Sequence, residues 1–412
     1  MAVTGLGVVS GLGWGVAPFL AALRAGRTGL GPFGRFDHSG HRTHVAAQVP
    51  DPPPELASRY RRWNRLTQAD RFALAAADEA LARAGLSGFP DPDQVGVFFG
   101  SSTGGMYEGE LFFADLLARG GRAGGASPRA RLGLLTSQPV SGPGDELARH
   151  LGVTGPVETL SSACSSATLA LGAALDALRS GEVEIALAGG SDSLCQLTYA
   201  GFNALRAVSE LPCRPFREGR EGMSIGEGAA VLVLEPLERA LARGAVPLAE
   251  LAGAGASCDA HHMTAPDPSG RGAAAAVVAA LADAGMEPGE IDFINAHGTG
   301  TPLNDAAEWR AFEQVFGERL KDMPLTATKA IVGHLLGSAG AVEAAATILC
   351  LAGAEVHPTP GGGAVDPDLP VRLVQGAPLP FAARAAVSTN LAFGGSNAAV
   401  VFSVFSATGR GS

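Results

Sequence analysis

The sequence is short of charge, and what charge it has is acidic. Charged residues make up 17% of its 412 positions, with 40 Asp and Glu against 30 Lys and Arg. No Lys/Arg run is long enough to grip a phosphate backbone, which excludes nucleic acid as a partner class. No apolar run approaches the roughly 20 residues of a membrane span. The opening Met1-Ala2-Val3-Thr4-Gly5-Leu6-Gly7 lacks the basic start of a secretory leader. The five cysteines (164, 195, 213, 258 and 350) are odd in number and scattered, with no CxxC pair. Neither a disulfide framework nor a zinc site is indicated, so no metal is expected and a reducing cytoplasm is the expected location.

What is present is apolar and glycine-rich. Hydrophobic residues reach 46%, and the 57 glycines lie between apolar runs. That composition belongs to a globular chain with a large core, and its glycines serve tight turns and close backbone approach.

One stretch organises the rest. Glu158-Thr159-Leu160-Ser161-Ser162-Ala163-Cys164-Ser165-Ser166-Ala167-Thr168 reads as a strand end, a turn of small residues and a helix start; the helix closes near Ser180-Gly181. Cys164 is thus expected at a helix N-terminus, where free N–H groups and the helix dipole favour a thiolate. A thiolate is a nucleophile, and covalent catalysis would sit here. A small buried cysteine in an Ala-rich core helix is the plain alternative.

Three phrases recur in order. A helix over Phe72 to Gly85, a Pro-rich turn and a strand Gln94 to Ser101 match a helix over Ala274 to Ala284, Pro288-Gly289 and a strand Ile291 to Gly298. Cys164 and its helix are matched by His334 and the helix Ala341–Leu351, which makes Cys164 and His334 equivalent termini. Gly226-Glu227-Gly228-Ala229-Ala230-Val231 is matched by Gly394-Gly395-Ser396-Asn397-Ala398-Ala399. The order argues for a duplicated α/β unit, with halves 1–247 and 248–412. Gly120 to Gly144 reads as an excursion from the first half. Alternating strands and helices imply covered sheets in layers.

His297 ends a strand in Asn295-Ala296-His297-Gly298-Thr299-Gly300-Thr301-Pro302. His334 precedes a helix in Gly333-His334-Leu335-Leu336-Gly337, with Lys329 at the end of a strand 325–328. A nucleophile meeting two histidines from the other half suits acyl transfer.

The motifs SSACSSA, NAHGTGTPLND, TKAIVGHLLGSAGAVE and NLAFGGSNAAV carry a resemblance that runs from about residue 3 to residue 404. The sequence resembles the elongating β-ketoacyl-acyl-carrier-protein synthases, of the thiolase-like superfamily. The resemblance implies an α/β chain with a duplicated five-layer αβαβα fold. It implies decarboxylative condensation of an acyl chain on Cys164 with malonyl-carrier protein, with no cofactor beyond the substrates' own phosphopantetheine. His297 and His334 would stabilise the enolate through their Nε donors, or activate the water that assists decarboxylation. Lys329 would orient His334 or pair with Glu343. The amides of Cys164 and Phe393 would form an oxyanion hole. Thr299 and Thr301 would bind pantetheine. Phe393 would gate an acyl pocket walled by Thr103 and Phe202; core packing is the plain alternative for Phe393. Arg62, Arg65 and Arg129 would receive the carrier protein, and the chain would form a homodimer or a ketosynthase heterodimer.

Two departures stand out. Ala392 replaces the usual Gly before Phe393, which would stiffen the gate, and Thr103 replaces an Ile. Asp192-Ser193-Leu194-Cys195 and Gly201-Phe202-Asn203 lean toward aryl-polyene or polyketide pathways. The competing readings are a non-condensing partner subunit, opposed by the intact Cys164, His297, His334 and Lys329, and a thiolase, opposed by the lack of any cysteine after Cys350.

Overall fold

The apolar segments fold twice into one unit. We describe it from a computed structural model of the chain, in which residues 1–60, 62–118, 135 and 137–405 are described. The first half contains β1 (Ala2–Ser10), α1 (Gln68–Ala84), β2 (Val95–Gly100), α2 (Gly142–Leu151), β3 (Val157–Leu160), α3 (Ser166–Ser180), β4 (Ile185–Asp192) and β5 (Gly228–Glu235). The second contains β6 (Ala249–Cys258), α4 (Arg271–Ala284), β7 (Phe293–Asn295), α5 (Pro302–Phe316), β8 (Pro324–Thr326), α6 (Ala339–Gly353), β9 (Ala385–Leu391) and β10 (Ser396–Ser403).

Strand order from the centre is β1-β5-β4-β2-β3 on one side and β6-β10-β9-β7-β8 on the other. Directions match as well. β2 is parallel to β3 and β4, and β7 to β8 and β9; β5 and β10 are antiparallel to both their neighbours. A short antiparallel contact, Ala2 with Glu250 and Val3 with Ala249, joins the halves. Even a register shift recurs, between Val3 and Gly5 in one half and between Leu251 and Gly253 in the other.

The glycines beyond these shifts explain how the outer helices seat. A Cβ on Gly5 or Gly7 would lie 2.0 or 1.9 Å from the carbonyl oxygens of Ala80 and Ala76 of α1. A Cβ on Gly253 or Gly255 would lie 2.5 or 2.3 Å from those of Ala280 and Ala276 of α4. The missing side chains let each helix press onto its strand.

α1 and α2 cover the outer face of the first sheet, and α4 and α5 that of the second. α3 and α6 pack together between the sheets, giving the five layers. One core runs through this middle layer, drawing Leu171 and Leu175 from α3, Val342 and Ile348 from α6, Leu232 from β5 and Val400 from β10. Over the 18 residues Leu336–Gly353, the stretch containing α6 has a mean hydropathy of 1.5, apolar enough to cross a membrane by composition. It is instead the molecule's central helix, with 83% of that window buried. This adds one such segment to a sequence expected to hold none.

Helix starts differ from expectation by about a turn. α1 begins at Gln68 because Thr67 accepts from the Asp70 amide while the Asp70 carboxylate accepts from the Thr67 amide, a reciprocal cap. Gly142 to Gly144, expected within an excursion, instead opens α2 and is buried against α1.

Candidate active site

Cys164 lies in a single turn, Ala163–Ser165, between β3 and α3, as its neighbours imply. Ala163 has φ 45°, a left-handed conformation that costs energy for any residue with a Cβ. Local hydroxyls hold the turn: Ser166 Oγ donates to Ala163 O at 2.6 Å and Ser165 Oγ to Ser162 O at 2.9 Å.

The second half has the same turn, Leu336–Ser338, with Leu336 at φ 56°. By this superposition of turn on turn, the equivalent of Cys164 is Gly337. His334 stands three residues before it. The expected equivalence of Cys164 with His334 was thus out of register, although it brought the right halves together. His334 Nε2 is 3.0 Å from Cys164 Sγ. The rings of His297 and His334 are 5.3 Å apart and nearly perpendicular. One ligand-type atom from each of the three residues falls within 4.8 Å of the others, a group compact enough to hold an ion.

Hydrogen bonds assign both imidazole tautomers. Leu336 N–H donates to His334 Nδ1 at 3.1 Å. His297 Nδ1 lies 2.9 Å from Lys329 Nζ and 3.3 Å from Asn390 Nδ2. An ammonium and an amide NH2 can only donate, so this Nδ1 also accepts. In each neutral ring the proton therefore sits on Nε2. Burial holds both histidines well below the usual imidazole range, and the Lys329 charge pushes the same way. The site thus offers two neutral N–H donors beside one sulfur.

The sulfur departs from expectation. Burial pushes the Cys164 thiol up to about 11, against the opposing pull of Lys329 and of the Phe393 and Cys164 amides that hydrogen-bond the sulfur. A helix N-terminus does not outweigh removal from water here. The resting group is a thiol.

Lys329 begins a short helix, Lys329–Val332, rather than ending a strand. It touches His297, not His334 as expected, and pairs with the buried carboxylate of Glu343. Asn390 Nδ2 donates to the other Glu343 oxygen at 2.8 Å.

Residues 1–240 match the family described as beta-ketoacyl synthase, N-terminal domain, and residues 248–362 match the corresponding C-terminal domain. The chain belongs to the β-ketoacyl synthase family. It is 35% identical over 412 residues to 3-oxoacyl-[acyl-carrier-protein] synthase 2 of Staphylococcus aureus, covering 98% of each chain. It is 36% identical over 405 residues to nodulation protein E of Rhizobium meliloti, covering 97% of this chain and 98% of that one. Among solved structures, the ishigamide ketosynthase/chain length factor matches with a TM-score of 0.90 at 36% identity, over 98% of this chain and 99% of that one.

In this synthase fold the site opens into a cavity of about 260 Å³ lined by Cys164, both histidines, Thr299, Thr301 and Phe393, with Arg206 and Glu221 also on its wall. The hydroxyls of Thr299 and Thr301 are 2.9 Å apart. Phe393 is half-buried, its ring 5.7 Å from that of Phe202. Gly394 and Gly395 take φ 87° and 80°, whereas Ala392 is absent from the left-handed residues, so its methyl adds no backbone strain. Phe202 does not line the cavity itself, and neither does Thr103. The Thr103 hydroxyl, expected against an acyl chain, donates to Asp192 at 2.9 Å.

Arg62 is exposed and lies 3.9 Å from Glu146. Arg65 is exposed. Arg129 lies outside the described residues.

Reading the sequence alone missed Asn390, although it opens the motif NLAFGGSNAAV. It also missed Glu308, whose carboxylate accepts from the amides of His297 and Gly298 and from Thr389 Oγ1. Burial pushes Glu308 up to about 7. The sequence signals were a polar residue opening a motif for Asn390 and an acid one helical turn after a motif's end for Glu308.

Proposed function

We propose that the chain performs a decarboxylative Claisen condensation, with Cys164 as nucleophile and His297 and His334 as paired donors. Two neutral Nε2–H groups beside a buried thiol carry this reading. The Cys164 sulfur attacks an acyl-carrier-protein thioester; the carrier sulfur leaves and takes up the proton that the thiol gave. Cys164 and Phe393 amides stabilise the oxyanion. Malonyl-carrier protein then loses CO2, and the electron pair of the broken C–C bond passes to the thioester oxygen as an enolate. The two imidazole N–H groups hydrogen-bond that oxygen. The enolate carbon attacks the acyl carbonyl, the Cys164–acyl bond breaks, and the departing thiolate is reprotonated from solvent. Lys329, held by Glu343, keeps His297 in its donor tautomer.

Thr299 and Thr301, facing each other in the cavity, bind the pantetheine arm. Phe393 and Phe202 form the gate to the acyl pocket, and Thr103 shapes that pocket through Asp192. The substrates bring 4'-phosphopantetheine, so no further cofactor is needed. Arg62, Arg65 and Arg129 receive the acidic carrier protein. β3 ends the sheet with Val157 and Glu158 exposed, and such an edge is a template for pairing; a homodimer or a ketosynthase heterodimer forms there. The halves divide between residues 247 and 248, the product enters fatty-acid, aryl-polyene or polyketide synthesis, and a reducing cytoplasm keeps Cys164 free.

The test is the mass of Cys164 after incubation with acyl-carrier protein or with acyl-CoA, followed by malonyl-carrier protein. An acyl adduct from carrier protein that disappears as β-ketoacyl product forms supports the reading. No adduct points to a non-condensing partner subunit, and an adduct from acyl-CoA alone to a thiolase.

A further inference from the structure

Asp192 ends β4 without solvent exposure, and beyond holding Thr103 it takes part in no chemical step above. Its oxygens accept from Ser101 Oγ (2.8 Å), Ser102 N (3.0 Å), Thr103 N (2.8 Å), Thr103 Oγ1 (2.9 Å), Gly104 N (3.2 Å) and Gly337 N (2.7 Å). A carboxylate has about four lone-pair sites, so six donors saturate it. An amide of the same shape would turn an NH2 toward some of those donors.

These donors come from both halves. Residues 101–104 follow β2, and Gly337 precedes α6. Ser102 extends the link, since its Oγ donates to Ala163 O at 3.0 Å. A continuous path therefore runs from the residue before Cys164, through Ser102 and Asp192, to a glycine three residues after His334. None of Ser102, Asp192 and Gly337 lines the cavity. The path also joins the two left-handed residues, Ala163 and Leu336. Such conformations persist only where the surroundings over-determine them. Leu336 has a second duty, because its amide sets the His334 tautomer.

Gly337 shows how tight the clamp is. A Cβ there would lie 2.6 Å from Ser102 N and 2.7 Å from Asp192 Oδ2. The place that holds a nucleophile in the first half is, in the second, filled by this carboxylate and its loop.

We infer that Asp192 is a positioning residue for condensation: by clamping the two turns together it sets the Cys164–His334 spacing and the donor tautomer of His334. The inference rests on the reading that Cys164 and His334 act together. Its test uses Asp192→Asn in the full chain, with three readouts: the melting temperature, kcat and KM for condensation, and the rate of Cys164 alkylation by iodoacetamide. Alkylation does not depend on the condensing reading. The expected result is a kcat at least tenfold lower with KM within twofold, alkylation at pH 8 at least threefold slower, and a folded protein. Wild-type kcat, or a loss of activity that only tracks the unfolded fraction, overturns the inference. Should Asp192→Asn fail to fold, Ser102→Ala decides, since it cuts the path beside Ala163 and leaves the carboxylate in place. A threefold or larger fall in kcat at an unchanged melting temperature supports the clamp, and an unchanged kcat overturns it. Failure of the condensing reading would appear separately, as a native chain that forms no β-ketoacyl product, and Cys164 alkylation would then still read the clamp.

Discussion

The turns Ala163-Cys164-Ser165 and Leu336-Gly337-Ser338 occupy the same place in the two halves, each between a sheet and a central helix. Both carry a left-handed residue just before the middle position. Their surroundings differ. Around Cys164 lie an imidazole at 3.0 Å, two amide N–H groups and an open cavity. Around Gly337 lie a saturated carboxylate and a loop that leaves no room for one methyl group. The duplication supplied two strained turns. One faces the cavity with its cysteine and the other is filled by the Asp192 carboxylate, so on the proposed reading chemistry and rigidity are divided between equivalent positions.

The sharpest break in this comparison would come from the chemical side. Replacing Cys164 with Ala is expected to abolish acyl retention and condensation while the fold persists. His297→Ala and His334→Ala are each expected to slow malonyl decarboxylation by about 10²- to 10⁴-fold, while acyl transfer to Cys164 survives in part. Both imidazoles are already neutral, so decarboxylation should stay flat from about pH 6 to 8. Cys164 alkylation should instead climb roughly tenfold per pH unit below its raised pKa, because only the thiolate reacts. Normal decarboxylation in either variant would remove the histidines from the enolate.

The Lys329–Glu343 pair comes next. Lys329→Met strands a buried carboxylate and should cost about 3–5 kcal/mol in urea unfolding. Adding Glu343→Leu should recover much of that stability without restoring decarboxylation, since His297 still lacks its ammonium donor. A double variant with full activity would make the pair purely structural.

A smaller effect tests the plug. Gly337→Ala should destabilise by about 1–3 kcal/mol through overpacking, whereas Cys164→Ala should move the melting temperature far less. Equal melting temperatures for Gly337→Ala and the native chain would mean the second turn has room after all.

The smallest effect is expected at the surface. The Arg62–Glu146 contact joins an exposed guanidinium to a buried carboxylate at 3.9 Å, beyond direct hydrogen-bond distance, and is worth at most about 1 kcal/mol. Arg62→Glu with Arg65→Glu should raise the apparent KM for carrier-protein substrates a few-fold at low salt and leave small acyl thioesters unaffected. Salt near 1 M should erase the difference, because the Debye length falls to about 3 Å. Equal losses with both substrate types would move the docking surface elsewhere.

The sequence by itself determined the duplicated α/β plan and pointed to the side chains that gather at the candidate site. Apolar period, glycine stops and motif order are local properties, legible along one chain. So were Cys164, His297, His334 and Lys329, because each sits at or beside a turn between elements. The tertiary structure alone decided their relations. Lys329 meets His297 rather than His334 because it starts a helical turn whose direction no spacing reveals. The thiol is raised rather than lowered because burial comes from both sheets at once, and the desolvation of a charge is a sum over the whole surroundings. Asp192 and Glu308 read as ordinary acids in sequence. Only the fold, by closing off water and bringing amides from distant segments to their oxygens, makes them interior acceptors on which the site rests.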